Sequence, residues 1–415
     1  MYLNDLTVYY QLTDDEDVLF LLKNVEQLDN KAIQHDFIAK FLQVAEKYDL
    51  HDHLMQSLLT HLLAMHENAF SLSLERVVDV DDTLKALVLR DLTYFYDLFH
   101  SSFDDLEGLN REIFFHFSHS KPIINKEIYE VFSELQSNLA QSTSVEDFYY
   151  ILYNHYHKYG VGKYGLNKAF RYVDGNIVSI NHIEDNTLEQ LIGYERQKDR
   201  LIANTEAFIN GKKANNVLLY GDNGTGKSSS IKAILNRYYK DGLRMVEVYK
   251  HQFKALSEVL EQVKDRNYKF IIYMDDLSFE EYELEYKYLK AIIEGGLGIK
   301  PQNVLIYATS NRRHLIREKF SDKRELDDDL HSNDTVQEKL SLVARFGVTI
   351  YYGSPDKKEF QNIVRVLADK YHIHMPEADL LLEANKWELN HGGLSGRTAT
   401  QFIANLRSKL KGEIK

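Results

Sequence analysis

The stretch Gly221-Asp222-Asn223-Gly224-Thr225-Gly226-Lys227-Ser228, entered from the apolar run Val217-Leu218-Leu219-Tyr220, constrains this chain more than any other. It fits the pattern G-x-x-x-x-G-K-[ST]. Glycines there let the backbone turn through angles closed to other residues, so successive amide N–H groups converge on a chain of phosphates. In that pattern Lys227 reaches the outer phosphates and Ser228 binds Mg²⁺. The context agrees, with an extended run before the loop and a helical run from Ser229 to Leu235 after it. A helix N-terminus adds free amides and partial positive charge.

A second apolar strand, Phe270-Ile271-Ile272-Tyr273-Met274, ends in Asp275-Asp276. An acid in that place holds Mg²⁺, directly or through water, opposite the loop serine, and Asp275 is the candidate. Asp276 is the candidate to orient or deprotonate an attacking water. A further strand, residues 303–309, runs into Ser310-Asn311-Arg312-Arg313, where the Asn311 amide is placed to bond that water and the outermost phosphate. Asn385-Lys386-Trp387-Glu388 superficially matches a guanine-reading element. It ends in glutamate and falls in a predicted helix, so it reads as surface.

Residues 1–155 read as a helical domain. Leu54, Met55, Leu58, Leu59, Leu62, Leu63 and Met65 recur at helical spacing, and Leu84, Leu87, Leu89, Leu92, Phe95, Leu98 and Phe99 form a second apolar face. No chemistry is legible there, and its expected use is as an interaction or oligomerisation module, holding an unidentified protein client. Residues 156–187, opening on the glycine-rich Tyr159-Gly160-Val161-Gly162-Lys163-Tyr164-Gly165, read as a linker and entry segment. Residues 188–353 form the predicted α/β domain, with a helix expected over 188–209. Residues 354–415 are a predicted helical bundle entered at Ser354-Pro355-Asp356, with Ser354 as helix cap.

Composition narrows the class. The 415 residues are 44% hydrophobic and 27% charged, too apolar for disorder and too interrupted by charge for a membrane span. The formal net charge of −13 argues against coating nucleic acid through the whole surface, though Arg312 and Arg313 leave a local contact open. The absence of cysteine excludes disulfides and thiolate metal sites. No secretory signal is read at the N-terminus, and a cytoplasmic location is expected.

Taken in order, these features resemble the AAA+ superfamily of ATPases. Within it the chain is similar to a bacterial family of predicted ATPases catalogued as a domain of unknown function. The phrases that carry this are residues 215–221, Asp275-Asp276-Leu277-Ser278-Phe279-Glu280, Tyr307-Ala308-Thr309-Ser310-Asn311-Arg312-Arg313-His314-Leu315 and Ser395-Gly396-Arg397. The resemblance covers Gly160 onward and implies a P-loop parallel sheet with a C-terminal helical lid and nucleotide between them. It implies ATP and Mg²⁺ as ligands, with Gly193 and Tyr194 bordering the base and Gly221, Asn223, Gly224, Thr225, Gly226, Lys227, Ser228 and Ser229 around the phosphates. It implies Ser228 and Asp275 on the metal, Asp276 and Asn311 at the attacking water, Arg345 as arginine finger and Arg397 as a second sensor. An arginine finger acts on a neighbour's nucleotide, so a homo-oligomer is implied. The expected function is an oligomeric remodelling or mechanochemical ATPase. The alternative is a slowly hydrolysing ATP-gated switch or loader that assembles on a protein or DNA partner. It draws on one departure: Asp276 stands where most AAA+ enzymes carry the longer glutamate, and Glu280 is a possible helper.

Overall fold

The computed structural model describes residues 3–118, 125–181, 183–280, 283, 285–294, 301–312, 315 and 342–412. Arg313, His314 and the charged run 317–339 lie outside the described residues. The chain divides into two compact units, Met1–Asn167 and Lys168–Lys415.

The first unit is helical. Its α-helices are α1 (Glu16–Asn24), α2 (Lys31–Tyr48), α3 (Leu54–Met65), α4 (Ala69–Glu75), α5 (Asp82–Phe99), α6 (Gly108–Phe115), α7 (Lys126–Ala140), α8 (Val145–Tyr159) and α9 (Gly162–Leu166). The stripe predicted on α3 is buried from Leu54 through Leu63, as helical spacing requires. On α5 full burial begins only at Val88, and Leu84, Leu87 and Leu89 stay half-buried. Within α5 the fully buried Asp91 carboxylate accepts backbone N–H bonds from Thr7 at 2.8 Å, Val8 at 2.6 Å and Tyr9 at 3.2 Å. Three main-chain donors offset the cost of burying that charge and tie the start of the chain to the bundle.

The boundary between the two units falls inside the segment 156–187. Helix α8 continues to Tyr159, α9 buries Tyr164 and Leu166, and the residues after Asn167 enter the sheet of the second unit. The glycines serve close approach rather than flexibility. A Cβ on Gly162 would lie 2.5 Å from the Glu67 carboxylate, and one on Gly165 would lie 2.9 Å from the Tyr159 carbonyl oxygen.

The second unit is built on seven strands: β1 (Ala169–Val173), β2 (Asn176–Ser179), β3 (Val217–Gly221), β4 (Leu243–Glu247), β5 (Lys269–Met274), β6 (Val304–Ser310) and β7 (Val348–Tyr352). Their order is β2-β1-β4-β5-β6-β3-β7, and only the β1–β2 hairpin is antiparallel. Central parallel strands are covered on both faces, which is why they read as continuous apolar runs. All seven residues of β6 are buried. Helices α10 (Glu195–Ile209) and α11 (Lys227–Tyr238) pack Leu201, Phe208, Ile231 and Ile234 against Leu219, Tyr307 and Ile350 of the sheet. Two further helices, α12 (Leu256–Val263) and α13 (Glu285–Glu294), follow β4 and β5. The helix expected over 188–209 begins only at Glu195. Before it comes a short 3₁₀ turn at Leu188–Gln190, then Gly193 and Tyr194 with positive φ of 83° and 62°.

Consecutive β3 and β4 are separated in the sheet by β6 and β5. The chain therefore reverses its direction of travel across the sheet beside β3. A crevice outside the C-terminal strand ends at such a switch point is where open α/β sheets bind ligands.

The lid comprises α14 (Lys357–Lys370), α15 (Glu377–Asn390) and α16 (Gly396–Gly412), packed through Phe360, Val364, Ala384 and Ile403. Asp356, not the expected Ser354, caps α14. Its carboxylate accepts from Glu359 N and Glu359 Oε2 accepts from Asp356 N, both at 2.8 Å, a reciprocal capping box.

Two expectations follow. Gly221 has φ 137° and a Cβ there would lie 2.1 Å from the Tyr352 carbonyl oxygen. Gly221→Ala is expected to destabilise the sheet unit by about 3 kcal/mol or more, read as a lower denaturation midpoint by circular dichroism. In the helical unit His155 is buried and His61 lies between the rings of Tyr48 and Phe132; burial pushes each imidazole down to about 4. The unfolded chain takes up those protons near pH 6.5. Stability is therefore complete above about pH 6.5 and is lost as pH falls from there toward 4, by about 1.4 kcal/mol per unit for each histidine. Urea midpoints measured from about pH 7 to about pH 5 should fall, and less steeply in His61→Phe.

Candidate functional site

The loop after β3 turns at Gly221, Gly224 and Gly226, with φ of 137°, 74° and 91°. Gly226 adopts the left-handed conformation immediately ahead of α11, so the helix N-terminus opens onto the loop. Thr225 Oγ1 donates to the Asp222 carbonyl at 2.8 Å, closing the loop on itself. Lys227 is buried, and its Nζ donates to the carbonyls of Gly221 at 3.1 Å and Asp222 at 2.7 Å. Burial lowers its pKa, and the carboxylates of Asp222, Asp276 and Asp275 pull the other way. The loop thus holds a partly desolvated cation, which favours an anionic ligand.

Opposite the loop, β5 and β6 deliver the polar cluster. Asp275 Oδ1 accepts from Ser228 Oγ at 2.7 Å and from Thr309 Oγ1 at 2.6 Å. Thr309 Oγ1 also accepts from Asp276 N at 2.9 Å, so one hydroxyl sets both acids. Burial raises the Asp275 pKa, but the Thr309 and Ser228 hydroxyls, the nearby Tyr273 hydroxyl and the Asp276 amide outweigh it and hold the carboxyl below its usual range. Asp276 sits at φ 49°, unusual for a residue with a side chain, and its Oδ1 accepts from Asn311 Nδ2 at 2.6 Å. Because β6 lies between β5 and β3, Asn311 emerges between the acids and the loop.

The other walls come from α10 and the lid. Leu191 packs against Gly226, where a Cβ would lie 2.3 Å from Leu191 Cδ2. Buried Lys198 holds that turn by donating to Leu191 O at 2.9 Å and to Glu195 at 2.8 Å. Tyr194 stacks on Tyr352 at 5.1 Å and donates to the Gly353 carbonyl at 2.8 Å. From the lid, Arg397 N donates to Gly224 O at 3.2 Å. Ser354, displaced from the expected capping role, donates both N–H and Oγ to Asp222 Oδ2, at 2.7 and 2.9 Å.

These walls enclose a cleft of about 820 Å³. Of the predicted residues, Tyr194, Asn223, Gly224, Thr225, Gly226, Lys227, Ser228, Ser229, Asp275, Asp276, Asn311 and Arg397 line it. Gly193 and Gly221 shape its walls without lining it. Glu280 does not line it either, and its amide donates to Glu283 Oε2. Arg345 lies outside. It precedes β7, whose far end borders the loop, roughly 15–20 Å away at the rise of a strand. Sequence reading missed Thr309, Lys198 and the Asp222–Ser354 contact. Only Thr309 left a trace, as the first residue of the polar run that ends an apolar strand.

The cleft is lined by the apolar side chains of Leu191, Ile192 and Leu367 and by the loop residues, Lys227 and Arg397. The Ser228 hydroxyl and the Asp275 carboxylate form an oxygen set suited to a small hard cation such as Mg²⁺.

The family model described as "Protein of unknown function (DUF815)" matches residues 166–410. No curated protein matches the sequence. Among solved structures, the chain is similar to the Thermotoga maritima RuvB Holliday junction branch migration motor, at 18% identity, over 55% of this chain and 65% of that one, with a TM-score of 0.37. A point mutant of the same protein matches at 17% identity, over 55% of this chain and 66% of that one, with a TM-score of 0.39. The chain thus spans just under two thirds of the motor's own length. The family match covers more than half of the chain, including the sheet unit and its helical lid: this protein belongs to the DUF815 family.

Proposed function

We propose that this chain binds ATP with Mg²⁺ in the cleft beside β3 and hydrolyses it as an oligomeric AAA+ remodelling ATPase. The observation that carries the reading is the linked set Ser228–Asp275–Thr309–Asp276–Asn311, which sets two carboxylates and an amide opposite a phosphate loop. Loop amides and the α11 N-terminus bind the phosphates, and Lys227 leaves the loop carbonyls to neutralise the outer ones. Ser228 and Asp275 would hold Mg²⁺, which would supply neutralisation of phosphate charge. Asp276 orients and accepts a proton from the attacking water, with Asn311 fixing the carboxylate and reaching the γ-phosphate. Arg397 adds charge from the lid, while Leu191 and Ile192 cover the base.

Arg345 precedes β7, at the end of the strand away from the loop and too far to serve its own cleft, which supports its action on a neighbouring subunit's nucleotide. The helical unit is assigned to a protein client. Contact with DNA rests on Arg312 alone among the described residues and is not proposed. No helix among the described residues is long and apolar enough to cross a membrane.

A second reading, the slowly hydrolysing switch, is favoured by Asp276 itself. Its short carboxylate is engaged by Asn311 at 2.6 Å, so a water must compete for it.

Lys227→Ala is expected to weaken binding of a fluorescent ATP analogue by about a hundredfold or more and to abolish turnover, since a charge-assisted contact to phosphate is lost. Full ATPase activity in that variant would remove the basis of the reading. Arg345→Ala should bind ATP normally yet lose turnover by about a thousandfold. Light scattering with ADP, with ATP and with a nonhydrolysable analogue reports assembly alongside. A wild type that stays monomeric and inert with ATP bound would instead select the switch.

A further inference from the structure

Buried tyrosine hydroxyls in the sheet unit are generally put to use. Tyr307 Oη meets Thr205 Oγ1 at 2.8 Å and Asn204 Nδ2 at 3.1 Å, Tyr352 Oη donates to Ser230 Oγ at 3.0 Å, and Tyr238 Oη donates to Glu206 at 2.7 Å. Tyr273 differs. Its side chain is 3% exposed, packed in the core shared by α11 and the sheet, and its hydroxyl is buried without a bond of hydrogen-bonding geometry. Phenylalanine would fill the same space without stranding a polar atom, so the hydroxyl calls for an explanation.

Its surroundings supply one. Tyr273 stands two residues before Asp275 on the same strand, so the two side chains leave on the same face. The hydroxyl lies beside the Asp275 carboxylate and the Ser228 hydroxyl. Thr309 and Ser228 both donate to Oδ1 of Asp275, at 2.6 and 2.7 Å. A serine oxygen that ligates a cation must turn a lone pair toward it, and its hydrogen bond to the acid then changes direction.

We infer that Tyr273 is a positioning residue of the cation site, its hydroxyl being the donor that takes up the Asp275 acceptor when Ser228 turns to a cation. Thr309 from β6 and Tyr273 from β5 then hold the carboxylate in one orientation from two sides. The hydroxyl is unpaired in the resting arrangement because its partner is released only on metal binding. Outer donors of this kind tune metal affinity through the ligand they orient. The inference rests on the reading of the cleft as an Mg²⁺–ATP site and adds to it a residue outside the loop, the acids and the sensors.

The test uses the full chain and its Tyr273→Phe variant. Binding of a fluorescent ATP analogue is measured in EDTA and across an Mg²⁺ titration, with thermal unfolding alongside. The expected result is equal affinity in EDTA, an Mg²⁺ midpoint raised about tenfold in the variant, and an unfolding temperature unchanged or higher. Equal Mg²⁺ midpoints in the two proteins would overturn the inference and leave Tyr273 as core filling, with the nucleotide reading intact. Folded wild type that binds no analogue with or without Mg²⁺ would overturn both.

Discussion

The close contact between Gly221 and the Tyr352 carbonyl decides how the sheet unit is joined up. β3 can deliver its loop only if β7 runs parallel beside it to the last residue, and the bond from Asp222 N to Tyr352 O at 2.9 Å continues that pairing past the strand end. The chain leaving β7 must then pass directly behind the loop, which is where the lid begins. With β6 on the other side of β3, the loop is held between the strand that carries Asn311 and the strand that leads into the lid. Loop, acids, amide and lid are thus consequences of one strand order.

Electrostatics follow from this geometry. The crevice gathers Asp275 and Asp276 with Lys227 and Arg397. Hydroxyl donors, rather than opposing charges, hold Asp275 in its anionic form. That arrangement leaves the arginine and lysine available to an incoming anion instead of consuming them in ion pairs. The hydroxyls of Thr309 at its strand tip and Ser228 at the head of α11 are hydrogen-bonded to the acid, so burying them costs less than burying a further charge.

What was legible in the sequence and what was not divides along sequence distance. The loop, the acids after β5 and the polar end of β6 are local patterns, and their strand and helix contexts are set by apolar runs of recognisable length. The pairing of Asp222 with Ser354 joins residues 132 apart, and nothing in either segment announces it. The misassigned cap is different. Ser354 and Asp356 compete on local chemistry, and Glu359 three residues after Asp356 was the available sign that the aspartate would win. The glycines at 160–165 mislead because glycine serves both mobile chain and tight packing, and only the tertiary neighbours Glu67 and Tyr159 decide between them.

The lid meets the loop at two separate points, through Ser354 at its entry and through Arg397 at the head of its last helix. Two pinned points define an axle. A body so mounted cannot slide or lift away without breaking a bond, and Ile192 packed against the lid core leaves roll about the line between them as its softest motion. Any displacement of Gly224 relative to Asp222 tilts that line, and the far ends of α14 and α16 sweep through an arc larger than the tilt itself. The loop is therefore the short arm of a lever whose long arm is the helical bundle.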